Sequence, residues 1–289
     1  MTRFVFTLLI GLVLPLSLKV TTSSAFESLN PHSKRVLENK NALALIVGVA
    51  DYENTQAKAI FADNDAKVFE NYAREKLGVP SDRIITLTNE EATYPAILEA
   101  MNSLLAIKPV HRDRDVYVFF AGHSLASDDG QKMYFLPYDG EPNYLELTAV
   151  SKQVLFDAIA SVNYRSVNVF LDTSYSGTTR DREADRLTVG RGELAYRRPQ
   201  FSRSIPDNFT VFAAVSQDQT AKPLEETKHG MFSYFLMKGM EGDADQNLDN
   251  KITAGELHEY VKENVWQQSS NKQLPELQGD ANRVLVQFQ

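Results

Sequence analysis

The chain has no cysteine among its 289 residues. That excludes disulfide staples, thiolate metal sites and any thiol nucleophile, and it leaves the core to hold together without covalent links. Basic residues are in the minority: 30 Lys and Arg stand against 38 Asp and Glu, for a formal charge of −8. Such a balance lacks the basic face that nucleic-acid binding requires, so no nucleic-acid partner is expected. Tryptophan occurs once, at Trp266, and is expected to pack rather than to bind a ligand. Disorder signals are also missing, since 43% hydrophobic and 24% charged residues are ordinary globular values. The length suits one α/β domain of generous size, or one domain with an appendage.

Near the start, the apolar run Phe4 to Leu18 follows Arg3, is broken by Pro15 and precedes Lys19 and the small residues of Thr21 to Ala25. It falls short of the ~20 residues that a membrane span needs. The pattern reads as a secretory signal over residues 1–25, with cleavage before Phe26, and the expected location is secreted or periplasmic. The alternative is an uncleaved anchor, which would be the chain's membrane contact. Residues 26–42 read as a polar leader or short helix, and residues 43–289 as one domain.

Leu43 to Val49 is a continuous apolar run of strand length. Asn64 to Leu77 then places Ala66, Phe69, Ala73 and Leu77 at helical spacing, with Gly78 to end the helix. Arg83 to Leu87 predicts a second strand, and Thr93 with Pro95 opens a helix that runs to about Ile107. Val116 to His123 and Val167 to Gly177 are apolar runs that stop at polar residues, separated by a short extended piece, Met133 to Leu136, and a helix over Val150 to Ser161. Phe209 to Val215, a helix over Phe232 to Met240 and an edge strand over Arg283 to Val286 complete the series. Alternating strands and helices predict an α/β fold: a mostly parallel central sheet with helices on both faces. In such a sheet the carboxyl edge collects the chemistry, and there His123 leaves one strand and Asp172, Thr173 and Ser174 leave another.

These two segments, VYVFFAGH and VNVFLDTSYSG, resemble the catalytic segments of the caspase-like cysteine peptidases, the group of caspases, metacaspases and their bacterial relatives. The resemblance extends over about Leu43 to Phe288 and implies a caspase-like three-layer fold. It also implies that His123 is the general base and that Ser174 stands where the family carries its cysteine nucleophile. Ser124 takes the place of the glycine that helps to form the family's oxyanion hole. Asp65 and Asp172 match the two acids that bind a basic substrate side chain in the metacaspase-like branch; for Asp65, a helix N-terminal acid favoured by the dipole is the competing reading.

A serine hydroxyl is a far weaker acid than a thiol and normally needs a carboxylate behind its histidine. No segment of the sequence supplies that third member. Two functions follow. One is a caspase-fold pseudopeptidase that binds basic peptide segments or a protein partner without efficient cleavage. The other is an endopeptidase cutting after Arg or Lys with Ser174 and His123. The Arg-rich stretch Thr178 to Asp207 lacks periodicity and reads as an exposed loop, either a solvated insertion or a processing region. His32, His111 and His258 lie in polar contexts and are expected at the surface, and His229, before a glycine, in a turn.

Asp245 to Glu256, DQNLDNKITAGE, matches the spacing of a calcium loop. Asp245, Asn247 and Asp249 take the first three oxygen positions, Lys251 offers a carbonyl, and Glu256 takes the bidentate place. Asn250 replaces the usual turn glycine and tolerates a left-handed conformation. The expected cofactor is a structural calcium; the competing reading is a polar turn with a helix cap at Thr253.

Overall fold

A computed structural model describes residues 26–109, 112–127, 129–174, 188–189, 192–193, 205–216 and 219–289. The expected signal segment, His111 and most of the 178–207 stretch lie outside these residues. The chain forms β1 (Leu43–Gly48), α1 (Ala62–Glu75), β2 (Ile84–Thr88), α2 (Tyr94–Ala106), β3 (Asp115–Ala126) and β4 (Met133–Phe135). Then follow α3 (Leu145–Thr148), β5 (Val150–Ser151), α4 (Lys152–Ala160), β6 (Ser166–Ser174) and the short pair β7 (Thr188–Val189) and β8 (Gly192–Glu193). The remainder is β9 (Phe209–Ala213), β10 (Pro223–Leu224), β11 (His229–Gly230), α5 (Met231–Lys238), β12 (Lys251–Thr253), α6 (Ala254–Gln268), β13 (Glu276–Gly279) and β14 (Val284–Gln287).

The main sheet runs β13-β9-β6-β3-β1-β2, with β4 and β5 joined to the carboxyl end of β3. All neighbours along this path are parallel except β13, which is antiparallel to β9. Every residue of β1, and β3 from Asp115 to Leu125, is buried, so both faces of the sheet are covered. Helix α1 packs with α5, α5 with α6, and α2 with α4, which makes the two outer layers.

Under α1, Phe69 stacks on Phe119 at 4.4 Å, and Phe170 bridges Phe69 to Phe212 at 5.5 and 5.2 Å. One helix is thereby fixed to strands β3, β6 and β9. Full burial of each ring contributes about 1.5–3 kcal/mol. Gly48 lies where α1 crosses β1, since a Cβ there would meet the Ala62 carbonyl oxygen at 2.3 Å. Gly78, at φ +69°, ends α1 as expected by returning the Val79 amide to Ala73 O at 3.0 Å.

Two expectations are corrected. Residues 26–40 form no helix; they run as a strap whose Val36 bridges Phe288 and whose Asn30 amide bonds the buried Glu241 carboxylate at 2.6 Å. The hydrogen bonds that a helix would have supplied are made to distant parts of the chain instead. The final strand, β14, is not an edge of the main sheet. It pairs with β12 in a separate ribbon, and the sheet edge is β13, whose ELQG sequence carries one large apolar residue and so little strand signal.

Candidate functional site

The carboxyl ends of β3 and β6 lie side by side, and the register pairs His123 with Ser174. Gly122 turns the histidine into place. Its φ of +152° lies in the region that favours glycine, and a Cβ there would meet the Tyr52 hydroxyl at 2.8 Å. That close approach lets the His123 amide donate to Tyr52 Oη at 2.7 Å, while the hydroxyl donates to Val49 O at 2.9 Å. The Tyr52 ring also stacks on the imidazole, with centroids 4.8 Å apart. His123 is 4% exposed, so both its backbone and its ring plane are fixed.

Nε2 of His123 lies 3.2 Å from the Ala57 carbonyl oxygen. A carbonyl can only accept, so Nε2 is the donor of this contact. The sequence offered no third member behind the histidine; the structure supplies one as a backbone atom, which no side-chain motif can announce. A carbonyl dipole orients the imidazole but stabilises an imidazolium less strongly than a carboxylate does.

Ser174 is the last residue of β6 and is described by its backbone. Ser124 continues β3 opposite Phe135 of β4 without the positive φ that its glycine-like place could have demanded. The Leu136 amide bonds His123 O at 3.0 Å, which makes Ser124 and Phe135 a non-hydrogen-bonded pair and turns the Ser124 amide away from β4.

Asp65 and Asp172 are both 0% exposed, and both meet the start of α5. Asp172 Oδ2 accepts from Ser233 Oγ at 2.5 Å and Ser233 N at 3.2 Å. Asp65 accepts from the Gly230 amide at 3.0 and 3.1 Å and faces His229 Nδ1 at 2.8 Å. Two carboxylates thus receive the amino end of one helix, where amides and dipole favour negative charge. The sequence expected His229 in a turn, but it is buried on Asp65 as part of this cluster. His258, expected at the surface, is partly buried: burial pushes it below the usual histidine range, while a contact with Pro275 O at 3.2 Å opposes that shift. Ser233 carried no signal, being one small polar residue in an apolar helix.

The Asp245 to Glu256 loop folds around its own acids. Asp245 accepts from the Asp249 and Asn250 amides at 3.2 and 3.1 Å, Asn247 from Asp249 at 2.8 Å, and Asp249 from Lys251 at 2.9 Å. Asn250 adopts the left-handed conformation expected of it, with φ 64°. Glu256 Oε2 accepts from the Thr253 amide at 2.9 Å while Thr253 Oγ1 caps the Glu256 amide, a complete capping box. Glu256 Oε1 is held by Asn247 Nδ2 at 2.8 Å. Among the described residues no group of three or more His, Asp or Glu is gathered as a metal would require.

A family model described as the caspase domain of peptidase family C14 matches residues 41–286. No curated protein matches the chain. Among solved structures, the Geobacter sulfurreducens protein GSU0716 is similar over 86% of this chain and 100% of its own, at 14% identity and a TM-score of 0.59. Caspase-1 from Spodoptera frugiperda is similar over 93% of this chain and 95% of its own, at 13% identity and a TM-score of 0.55. At such identities the structures speak for the fold, and the family model spans most of the chain: it belongs to the caspase-domain family.

Proposed function

We propose that this chain is an exported caspase-fold pseudopeptidase, which binds basic peptide segments or a basic protein partner without efficient cleavage. The observation that carries the reading is the complete absence of cysteine from a chain whose histidine is otherwise fully oriented. With a hydroxyl of high pKa at Ser174 and a neutral carbonyl behind His123, proton removal has too little support for useful turnover. Asp172 and Asp65 give the site its selectivity, since a guanidinium or ammonium reaching them would share two buried carboxylates with the amino end of α5. Residues 1–25, with their short apolar core and small-residue end, supply the export signal.

The test is binding of fluorescent peptides ending in Arg, Lys or Gln. The basic peptides should bind at least ten-fold more tightly than the Gln peptide, and Asp172→Asn should remove the difference while keeping a cooperative thermal transition. Equal binding of all three by the unaltered chain would overturn the reading.

One observation favours a second reading, a slow endopeptidase cutting after Arg or Lys: the Ala57 carbonyl fixes the His123 tautomer that a general base needs. In either reading, calcium is the proposed ligand of Asp245, Asn247, Asp249, the Lys251 carbonyl and Glu256, as a structural ion. Loading would require Asn247 to release Glu256.

A further inference from the structure

The Tyr52 hydroxyl and the Ala57 carbonyl, which both hold His123, come from one segment, residues 49–59, between β1 and α1. The segment has no helix or strand of its own, so its path depends on a few ties. Ala59 N donates to Ala50 O at 3.0 Å, which closes it into a loop, and Lys58 pairs with Asp51 at 2.6 Å across the neck. Within the loop, Ala57 N bonds Thr55 Oγ1 at 3.2 Å. The tip is fixed to the chain beyond β4, through Glu53 N on Tyr138 O at 2.9 Å and Asn54 Nδ2 on Asp139 O at 3.0 Å.

The neck has another holder, supplied by the neighbouring strand. Asn89, directly after β2, sets its side-chain oxygen against two amides: Oδ1 accepts from Ala50 N at 2.9 Å and from Asp51 N at 3.3 Å. Its φ of +43° is a left-handed conformation that asparagine tolerates better than most residues. Its carbonyl also receives the Ala92 amide at 2.7 Å, closing a single 3₁₀ turn over Asn89–Glu91. Strands β1 and β2 are parallel with Gly48 opposite Thr88, so they end level and the asparagine reaches the chain just beyond its neighbour. The Asp51–Lys58 pair is more than half exposed and contributes little. Ala50 is buried, where an amide without an acceptor is costly.

We propose that Asn89 is a positioning residue of the histidine edge. By accepting both amides at the neck, it fixes the segment that presents Tyr52 Oη to the His123 amide and Ala57 O to Nε2. The use of that edge rests on the functional reading above, whereas the positioning is read on the imidazole alone.

The experiment is NMR of the histidine rings in the full chain, with the His123 signals assigned by their absence from His123→Gln. The unaltered chain should show a His123 Nε2–H resonance sheltered from exchange with water, as a donor held on a buried carbonyl gives. Asn89→Gly permits the same φ but has no acceptor, and should lose that resonance while its amide spectrum stays folded. Asn89→Asp, which returns an oxygen to the two amides, should recover it. A resonance unchanged in Asn89→Gly, one equally lost in Asn89→Asp, or none in the unaltered chain would each overturn the proposal. Should Asn89→Gly fail to fold, native-state hydrogen exchange of the unaltered chain decides. The Ala50 and Asp51 amides and the ring N–H should then share one opening free energy, and unequal values would overturn the proposal. Peptide binding is measured separately, so equal binding of Arg, Lys and Gln peptides beside the expected ring signals would overturn the functional reading alone.

Discussion

At the amino end of β3, Asp115 accepts hydrogen bonds from Arg165 Nε and Nη2 at 2.8 and 2.5 Å, from Ser166 Oγ at 2.7 Å and from Asn39 Nδ2 at 2.7 Å. At the carboxyl end of the same strand, His123 is held by Tyr52 and by the Ala57 carbonyl. The first cluster closes on itself, with every donor aimed at one carboxylate; burial works to raise the Asp115 pKa, but Arg165, Ser166 and Asn39 outweigh it and hold it below the usual range. The second holds an imidazole through its backbone amide, one ring face and one ring nitrogen. A satisfied charge cluster contributes to stability, whereas a histidine oriented through its backbone, its ring face and one nitrogen is prepared for chemistry or recognition. Within a single strand, the contrast separates what holds the molecule together from the residue on which the proposed function rests.

The largest effect that would sharpen this contrast comes from Ser174→Cys. If the carboxyl end is assembled apart from its nucleophile, a thiol there should raise hydrolysis of Arg-terminated reporter peptides at least 100-fold over the unaltered chain, since a thiol ionises far more readily than a hydroxyl. No gain in a folded variant would mean that the histidine edge is inert for reasons beyond the hydroxyl.

Next is Asp115→Ala, which should lower unfolding free energy by about 2–4 kcal/mol in urea titrations, because Ser166 and Asn39 lose their acceptor. Half-exposed Arg165 can return to water, which keeps the cost from rising further. The Asp115 contribution should also depend on pH in a defined direction. Its folded pKa is depressed, so the stabilisation is fully present above the unfolded value of about 3.9 and is lost as pH falls through the folded value. Asp115→Asn should therefore flatten the acid limb of the stability curve and leave the neutral-to-alkaline limb unchanged.

Millimolar calcium should stabilise the chain by about 1–2 kcal/mol, read as a rise of a few degrees in Tm, with no rise in Glu256→Gln. Tyr52→Phe should cost about 1 kcal/mol, as it removes the hydroxyl that accepts from the His123 amide and donates to Val49 O. In the Ser174→Cys background it should reduce turnover more than it reduces stability, whereas Asp115→Ala should do the reverse. Equal effects of the two on turnover would break the comparison between the two ends of β3.

Much of this was legible in the sequence, for particular physical reasons. Strands β1, β3 and β6 are buried on both faces, so each appears as a mainly apolar run, interrupted in β6 by the buried Asn168. Thr93 caps α2 and Thr253 caps α6 because those side-chain bonds are local. What stayed hidden depends on distant partners. Ala57 contributes a backbone oxygen, His229 and Ser233 act through acids more than sixty residues earlier in the chain, and β13 is a half-exposed edge with little pattern. Lys76 sits at the charged end of α1 and would be placed in solvent by any reading of its neighbours. It is 1% exposed, with its ammonium on Ser33 Oγ and Lys34 O at 3.1 and 2.7 Å. The strap of residues 26–36 that covers it has no periodicity to announce it.

The most direct test of the central claim is hydrolysis of Arg- and Lys-terminated reporter peptides by the purified chain, beside its Ser174→Ala variant and with peptide binding measured on both. The account predicts the same negligible rate for the two proteins and retained binding of basic peptides by each. Turnover by the unaltered chain that disappears in Ser174→Ala would contradict it and establish a serine-dependent peptidase on this fold.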